Sequence, residues 1–347
     1  MANERLISKC PEYPKNESRE SLHLLATDIS KATERGAIAA ARTAGMGKND
    51  LSDEKAVEAM REYLNTLPIQ GKIVIGEGER DEAPMLYIGE YVGDRKGPEF
   101  DIAVDPLENT NAAAFFGSGS ISTLAVAEKG GLFNAPDMYM DKLVVGPWAK
   151  GKVSIEKTPE ENLKVLAESL DRDITDLVIV VLKRTRNDEL IERILNTGAR
   201  VKKIEDGDLM PGVAACFKGS GVHAQMGIGG APEGVLTAVA AKCMGGEMQV
   251  KLRPDPKKEG ADVERLKKMG GSMNKVYTQD DLARGNLLIF SATGVTDSEF
   301  LKGVRFFGDG ARTNTLTIVK EEKSNLLHID FTDRIHIFKP GTPVSLT

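Results

Sequence analysis

Cysteine is scarce: Cys10, Cys216 and Cys243 are far apart and odd in number. That spacing excludes both a zinc-binding pattern and a disulfide framework, so a reducing cytoplasm is the expected compartment. Long apolar runs are missing too. None approaches the ~20 residues of a membrane span, and residues 1–15 hold no signal-like segment. Positive charge is in deficit, with 46 Lys and Arg against 52 Asp and Glu and a net charge of −6. Nucleic acid is therefore not the expected main partner, although local cationic clusters remain able to bind anions. Neither an internal repeat nor a low-complexity linker is present. Glycine is what the chain has in excess, 35 of 347 residues. Many glycines fall beside charged residues, as in turns that bring backbone close to a ligand.

The central stretch is Phe100 to Asn111. Phe100, Ile102 and Val104 alternate as in a short strand. Pro106 lacks the N–H a ladder needs and is expected to end that strand. Asp105 and Glu108 then stand at the break, with Thr110 beside them. Oxygen ligands at a strand end suit a hard divalent cation; the alternative is that both acids cap the next helix.

Before this stretch, residues 21–44 have a helical stripe. Residues 45–50 interrupt it, and Ser52 or Asp53 reads as the N-cap of a helix over 54–67. The compact strand 72–75 leads into Gly76-Glu77-Gly78-Glu79-Arg80-Asp81-Glu82, four acids within six residues. Either this is a solvated acidic loop, or it joins Asp105 and Glu108 in holding divalent cations. Tyr139 is either a core aromatic or a hydrogen-bonder of substrate.

In the second half, strand 176–182, helix 188–196 and strand 199–204 form a βαβ unit, which binds ligands at strand C-terminal ends. Lys183-Arg184-Thr185-Arg186 stands there. In an extended segment Arg184 and Arg186 project to the same side and grip one phosphate. Residues 227–234 read as a glycine turn opening a helix over 235–243, an anion site by geometry. Glu233 is either a surface acid favoured by the helix dipole or a fifth metal-site carboxylate. Strand 286–292 and hairpin-like alternation over 312–319 and 325–338 close the chain.

The runs Ile75 to Glu90, Asn134 to Met140, Asp206-Gly207-Asp208, Gly227 to Gly234 and Phe290 to Thr296 resemble class II fructose-1,6-bisphosphatases, in the family's order, over roughly residues 20–338. The family belongs to the lithium-sensitive, metal-dependent phosphatases. The resemblance implies an α/β fold in alternating layers of helices and mixed sheets. It also implies two lobes packed as one unit, 1–172 for metal binding and catalysis and 173–347 for the substrate phosphate. The implied activity is hydrolysis of the 1-phosphate of fructose-1,6-bisphosphate, in gluconeogenesis or a Calvin-type cycle. Some members, notably cyanobacterial ones, also hydrolyse sedoheptulose-1,7-bisphosphate.

By the same resemblance, Asp53 and Glu77 correspond to ligands of a first Mn²⁺ or Mg²⁺, and Asp105, Glu108 and Glu233 to those of a second. Lys48, Asp81 and Thr110 resemble the catalytic group. Glu108, Asn109, Thr110, Tyr139, Arg184, Thr185, Arg186, Asp206, Gly207, Asp208 and Gly230 correspond to substrate contacts. A homo-oligomer, dimer or tetramer, is implied as well. Two departures stand out. Asn109 replaces the family's glycine, and is the best-tolerated substitute if that position needs positive φ. Lys183-Arg184-Thr185-Arg186 replaces a more usual Pro-Arg-His. The alternatives are a phosphatase of another sugar or inositol phosphate, or a catalytically weak phosphosugar-binding homologue.

Overall fold

The computed structural model describes residues 19–78, 85–136, 138–255 and 258–338. Helices α1 (Arg19–Ala41) and α2 (Asn49–Leu64) come first. Strands β1 (Gln70–Ile75), β2 (Tyr91–Val92), β3 (Glu99–Glu108) and β4 (Ile121–Glu128) follow, with α3 (Thr110–Ala114) between the last two. The middle of the chain forms β5 (Tyr139–Val145), α4 (Pro159–Leu170), β6 (Val178–Leu182), α5 (Asp188–Asn196) and β7 (Arg200–Ile204). Next come α6 (Leu209–Ala215), β8 (Ala224–Gly230), α7 (Ala231–Cys243), β9 (Glu247–Arg253), α8 (Glu259–Lys268) and β10 (Val276–Thr278). The end is all strand apart from one short helix: β11 (Leu287–Gly294), β12 (Arg305–Phe307), β13 (Gly310–Glu321) and β14 (Leu326–Ile337).

Two mixed sheets result. The larger runs β12-β13-β11-β4-β3-β1-β2, with β14 paired to β13; the smaller runs β10-β9-β5-β8-β6-β7. β1 and β3 are parallel, as are β6 and β7, the pair expected of the βαβ unit. β4 pairs antiparallel with β11, Ala127 opposite Leu288, so the last third of the chain completes the first sheet.

Period-two alternation explains the layers. Phe100, Ile102 and Val104 of β3, with Leu124 and Val126 of β4, pack on Leu25, Ile29, Val57 and Met60 of α1 and α2. The intervening Ala103, Ala125 and Ala127 face the other way, against α7. Small residues there let α7 lie close, and its opposite side meets Met140, Val144, Met248 and Val250 of the second sheet. A helix pressed between two sheets must be apolar nearly all round, and ten of the thirteen residues of α7 are buried. α4 and α5 cover the second sheet's outer face. The order helix, sheet, helix, sheet, helix is the layered α/β architecture expected.

Three local expectations are corrected. β3 does not stop at Pro106 but continues to Glu108, through a register shift against β4 between Asp105 and Glu108. Proline is tolerated at such a bulge because the ladder is already broken there. α2 begins at Asn49 rather than Glu54, which puts Asp53 inside the helix instead of at its cap. Gly227 to Gly230 is the end of strand β8, not a turn, and α7 starts at Ala231.

Candidate active site

The bulge in β3 makes the site. In a regular strand, residues three apart point to opposite faces. Asp105 pairs with Thr123 and Glu108 with Ile121, so one extra residue is inserted on the β3 side. That insertion brings both carboxyls to the same side, where their side chains share a hydrogen bond. Glu233 joins them from the first turn of α7; one oxygen from each of the three lies within 4.8 Å of the others. Asp105 and Glu233, together with Asp53 of α2 and Glu77, two residues beyond β1, line a cavity of ≈ 400 Å³, with Glu108 buried behind them.

Burial and mutual repulsion push these acids far from ordinary behaviour. Glu77 is raised to about 8 by burial, then by Asp53 and Glu233. Asp105 is raised to about 8, chiefly by burial, and Glu108 well above its usual value by burial and by Asp105. Glu233 reaches about 8 through burial and Glu108, with Lys142 pulling the other way. Asp53 is raised to about 6 by burial and by Asp50. Glu233 also keeps Oε2 buried with no hydrogen-bond partner. A buried polar atom without a partner is costly, and hard oxygen donors gathered around it fit Mg²⁺ or Mn²⁺.

Thr110 opens α3 at the cavity's edge. Before it, Asn109 adopts φ 63°, ψ 59° and accepts from the Ala112 N–H at 3.2 Å. This is the left-handed region that glycine supplies most easily, and Asn is the residue that enters it at least cost while capping the helix. The Asp206-Gly207-Asp208 turn lies directly on Asn109: a Cβ added at Gly207 would meet the Asn109 side chain at 3.3 Å. Polar contacts bind the two segments. Arg184 Nη2 donates to Asp206 Oδ1 at 3.3 Å, Asn111 Nδ2 to Asp206 Oδ2 at 3.3 Å, and Asn49 Nδ2 to Asn111 Oδ1 at 2.6 Å. The Leu209 N–H donates to Glu108 Oε1 at 3.3 Å. Asp208 is buried against the fully buried Lys142 ammonium, 2.9 Å away.

Arg184 and Arg186 do not project together. Residues Thr185–Asn187 form a single 3₁₀ turn, which rotates the second arginine away from the first. Arg186 instead donates through Nε to the Ile228 carbonyl at 3.2 Å and stacks over the Tyr139 ring, 4.4 Å from its centroid. Tyr139 pairs with Gly230 across β5 and β8. A Cβ at Gly230 would lie 2.0 Å from Glu233 Oε2, so only glycine leaves that carboxylate its place. Tyr139, Arg186 and Gly230 thus form one group, and Arg184, Asp206 and Asn111 another. Thr185 is exposed between them. Lys48 immediately precedes α2, and Asp81 lies outside the described residues.

Sequence reasoning passed over three residues. Asn49 and Arg265 line the cavity, as does Asp50, one helical turn before Asp53 on the same face. The buried Lys142 gave no signal, because a lysine inside an alternating strand reads as solvent-facing.

A family described as "Bacterial fructose-1,6-bisphosphatase, glpX-encoded" matches residues 23–330. Among curated proteins, the chain is 49% identical over 335 residues to a D-fructose 1,6-bisphosphatase class 2/sedoheptulose 1,7-bisphosphatase of Synechococcus sp. (strain JA-2-3B'a(2-13)), covering 90% of this chain and 95% of that protein. A similarly named protein, numbered 2, of Acaryochloris marina is 46% identical over 347 residues, covering 93% and 99%. One of Thermosynechococcus vestitus is 47% identical over 339 residues, covering 91% and 96%.

Proposed function

The chain belongs to the glpX-encoded bacterial fructose-1,6-bisphosphatase family, and from that premise we propose that it hydrolyses the 1-phosphate of fructose-1,6-bisphosphate, with sedoheptulose-1,7-bisphosphate as a second substrate. The observation that carries the reading is the partnerless Glu233 oxygen among Asp105 and Glu108, beside the Thr110 hydroxyl. Asp53 and Glu77 are assigned to one Mn²⁺ or Mg²⁺, and Asp105, Glu108 and Glu233 to a second. Cations held there supply positive charge against the phosphoryl oxygens and lower the pKa of nearby water.

The chain's own residues do the rest. Thr110 presents its hydroxyl at the cavity edge, where it orients the attacking water, and Asp81 takes the proton, with Lys48 completing the catalytic group. A P–O bond forms to water as the ester P–O bond breaks, so charge grows on the leaving sugar oxygen and on the equatorial oxygens. Arg186 and Tyr139, with Thr185 beside them, hold the phosphate that stays. Glu108, Asn109, Arg184, Gly230 and the Asp206-Gly207-Asp208 turn position the sugar, so that residues of both halves of the chain meet around the substrate. We also place the protein in the cytoplasm as a homo-oligomer. Cys216 and Cys243 are free and buried, and no described helix is long and apolar enough to cross a membrane.

Phosphate release from each bisphosphate, with Mn²⁺, Mg²⁺ or EDTA, tests the reading. Release that EDTA abolishes is the expected result; metal-independent release, or none from either sugar, would overturn it. Arg186→Ala should raise KM by at least tenfold with kcat little changed, since the arginine grips a group that does not react. A fall in kcat at unchanged KM would move Arg186 to the reacting phosphate.

A further inference from the structure

Among the described residues, Lys142 is the largest side chain that the fold buries completely. It sits in the middle of β5, opposite Gly227 of β8 and Val250 of β9. Alternation turns Met140, Lys142 and Val144 to one face, into the apolar layer between the second sheet and α7. Gly234 of α7 makes room for the stem: a Cβ there would meet Met140 Sδ at 2.7 Å and Lys142 Cε at 3.5 Å. An ammonium placed in such a layer gives up its hydration, a large cost unless a partner offsets it. A methionine would fill the same space, as Met140 and Met248 do nearby. Packing alone therefore does not call for a lysine.

What the charge meets is Asp208. Lys142 Nζ donates to Asp208 Oδ2 at 2.9 Å, and neither side chain is more than 6% exposed. Asp208 ends the Asp206-Gly207-Asp208 turn and precedes α6, yet its carboxylate makes no cap hydrogen bond to that helix. Its carbonyl accepts from Gln225 Nε2 of β8 at 2.6 Å. Gly229 leaves the carboxylate its seat, since a Cβ there would overlap Asp208 Oδ2. β5 and β8 thus converge on one aspartate, at the root of a turn whose Gly207 lies on Asn109. The next residue, Leu209, gives its N–H to Glu108 Oε1.

We propose that Lys142 is a positioning residue for the reaction: without touching the substrate, its ammonium anchors Asp208 from the core and so holds the 206–208 turn against the sugar. The proposal rests on the reading above that this turn positions the sugar. An ion pair suits the task because it is directional, whereas a packed methionine would leave the carboxylate free to rotate toward water.

The test is calorimetric binding of fructose 6-phosphate to the full Mn²⁺-loaded chain, with hydrolysis of fructose-1,6-bisphosphate and of p-nitrophenyl phosphate measured alongside. Lys142→Met keeps the volume and removes the charge. It should weaken fructose 6-phosphate binding and raise KM for the bisphosphate, each at least tenfold, with kcat within about threefold. Hydrolysis of p-nitrophenyl phosphate, which has no sugar for the turn to hold, should stay within about twofold. Because Lys142→Met leaves Asp208 buried and unpaired, Lys142→Met with Asp208→Asn guards against simple unfolding. The double variant should melt closer to wild type than Lys142→Met does, yet bind the sugar phosphate as weakly as Asp208→Asn alone, since the lysine acts through the aspartate. Parallel losses with both substrates would make Lys142 merely structural, and unchanged binding in a folded Lys142→Met or double variant would remove it altogether; either overturns the proposal. A wild type that binds fructose 6-phosphate without hydrolysing the bisphosphate would sink the catalytic reading alone, because the binding losses would still report on the lysine. One that binds no sugar phosphate would overturn both.

Discussion

Thr110→Ala is expected to lower kcat by about 10²-fold or more, the order of loss that follows when a reacting group is no longer held in place, while leaving cation binding intact. The structural reason for the separation is local. Thr110 is the first residue of α3, and its backbone geometry is set by Asn109, whose side chain caps the helix. The carboxylates reach the cavity from β3, α2, the β1 end and α7. In the proposed mechanism, removing the hydroxyl would delete its contact to the reacting water without disturbing any of those supports. Titration with Mn²⁺, followed by calorimetry, should therefore match the wild type while single-turnover hydrolysis collapses. Thr110→Ser should recover much of the rate. Near-normal turnover in Thr110→Ala would remove the hydroxyl from the mechanism, and lost cation binding would mean that Thr110 is a ligand instead.

The second large effect is expected at Glu233, and it runs in opposite directions with and without metal. In the metal-free protein, Glu77, Asp105 and Glu233 are held at about 8, against ordinary values of 4.5, 3.8 and 4.5. A carboxyl whose folded pKa is raised binds its proton more tightly in the folded state. The stability this supplies is complete below about pH 4.5 and gone once the pH has risen through about 8. Metal-free protein should therefore lose stability steadily across that window. Glu233→Gln removes one of the repelling charges, and at pH 8.5 should stabilise the metal-free chain by about 1–3 kcal/mol, after allowing for the carboxyl's partial opening to the cavity. With metal the order reverses. A ligand at 100 times its Kd stabilises a wild-type fold by about 2.7 kcal/mol, a gain the variant should largely forfeit, together with turnover. Thermal unfolding at pH 5, 7 and 8.5, with EDTA or Mn²⁺, reads all of this. A wild type whose metal-free stability is flat across the window would contradict the electrostatic account of the site.

The architecture was legible because period two is simple physics. The alternation of Phe100, Ile102 and Val104 marked β3, and the α1 stripe marked its cover. The βαβ unit and the closing hairpin were equally plain. Recognition failed where a local rule met a tertiary exception. Pro106 forbids a ladder bond, yet the bulge at that point needs none, and the strand runs on. β8 hid behind its glycines, which serve close packing rather than turning: Gly229 and Gly230 leave room for Asp208 and Glu233. The pairing of Arg184 with Arg186 assumed extended backbone, and a single 3₁₀ turn undid it. Asn109 went the other way. Because it stands where the resembled family has glycine, positive φ was the condition under which Asn would serve best, and the backbone has it.

The pairing of β4 with β11 constrains how the protein is made. Ile121 to Glu128 is an apolar strand with a seat on one side filled by β3, while its other neighbour is encoded only from Leu287 onward. At roughly 5–20 residues per second, a ribosome needs on the order of 10–30 s to deliver that partner. Throughout that interval the half-built sheet carries an open, sticky edge, and the smaller sheet has to be threaded past it before closure. Non-local pairings of this kind are slow to form and exposed to aggregation while they wait. For this chain, then, the vulnerable moment is not in the finished enzyme but on the ribosome, after the first sheet's near half has emerged and before its far half exists.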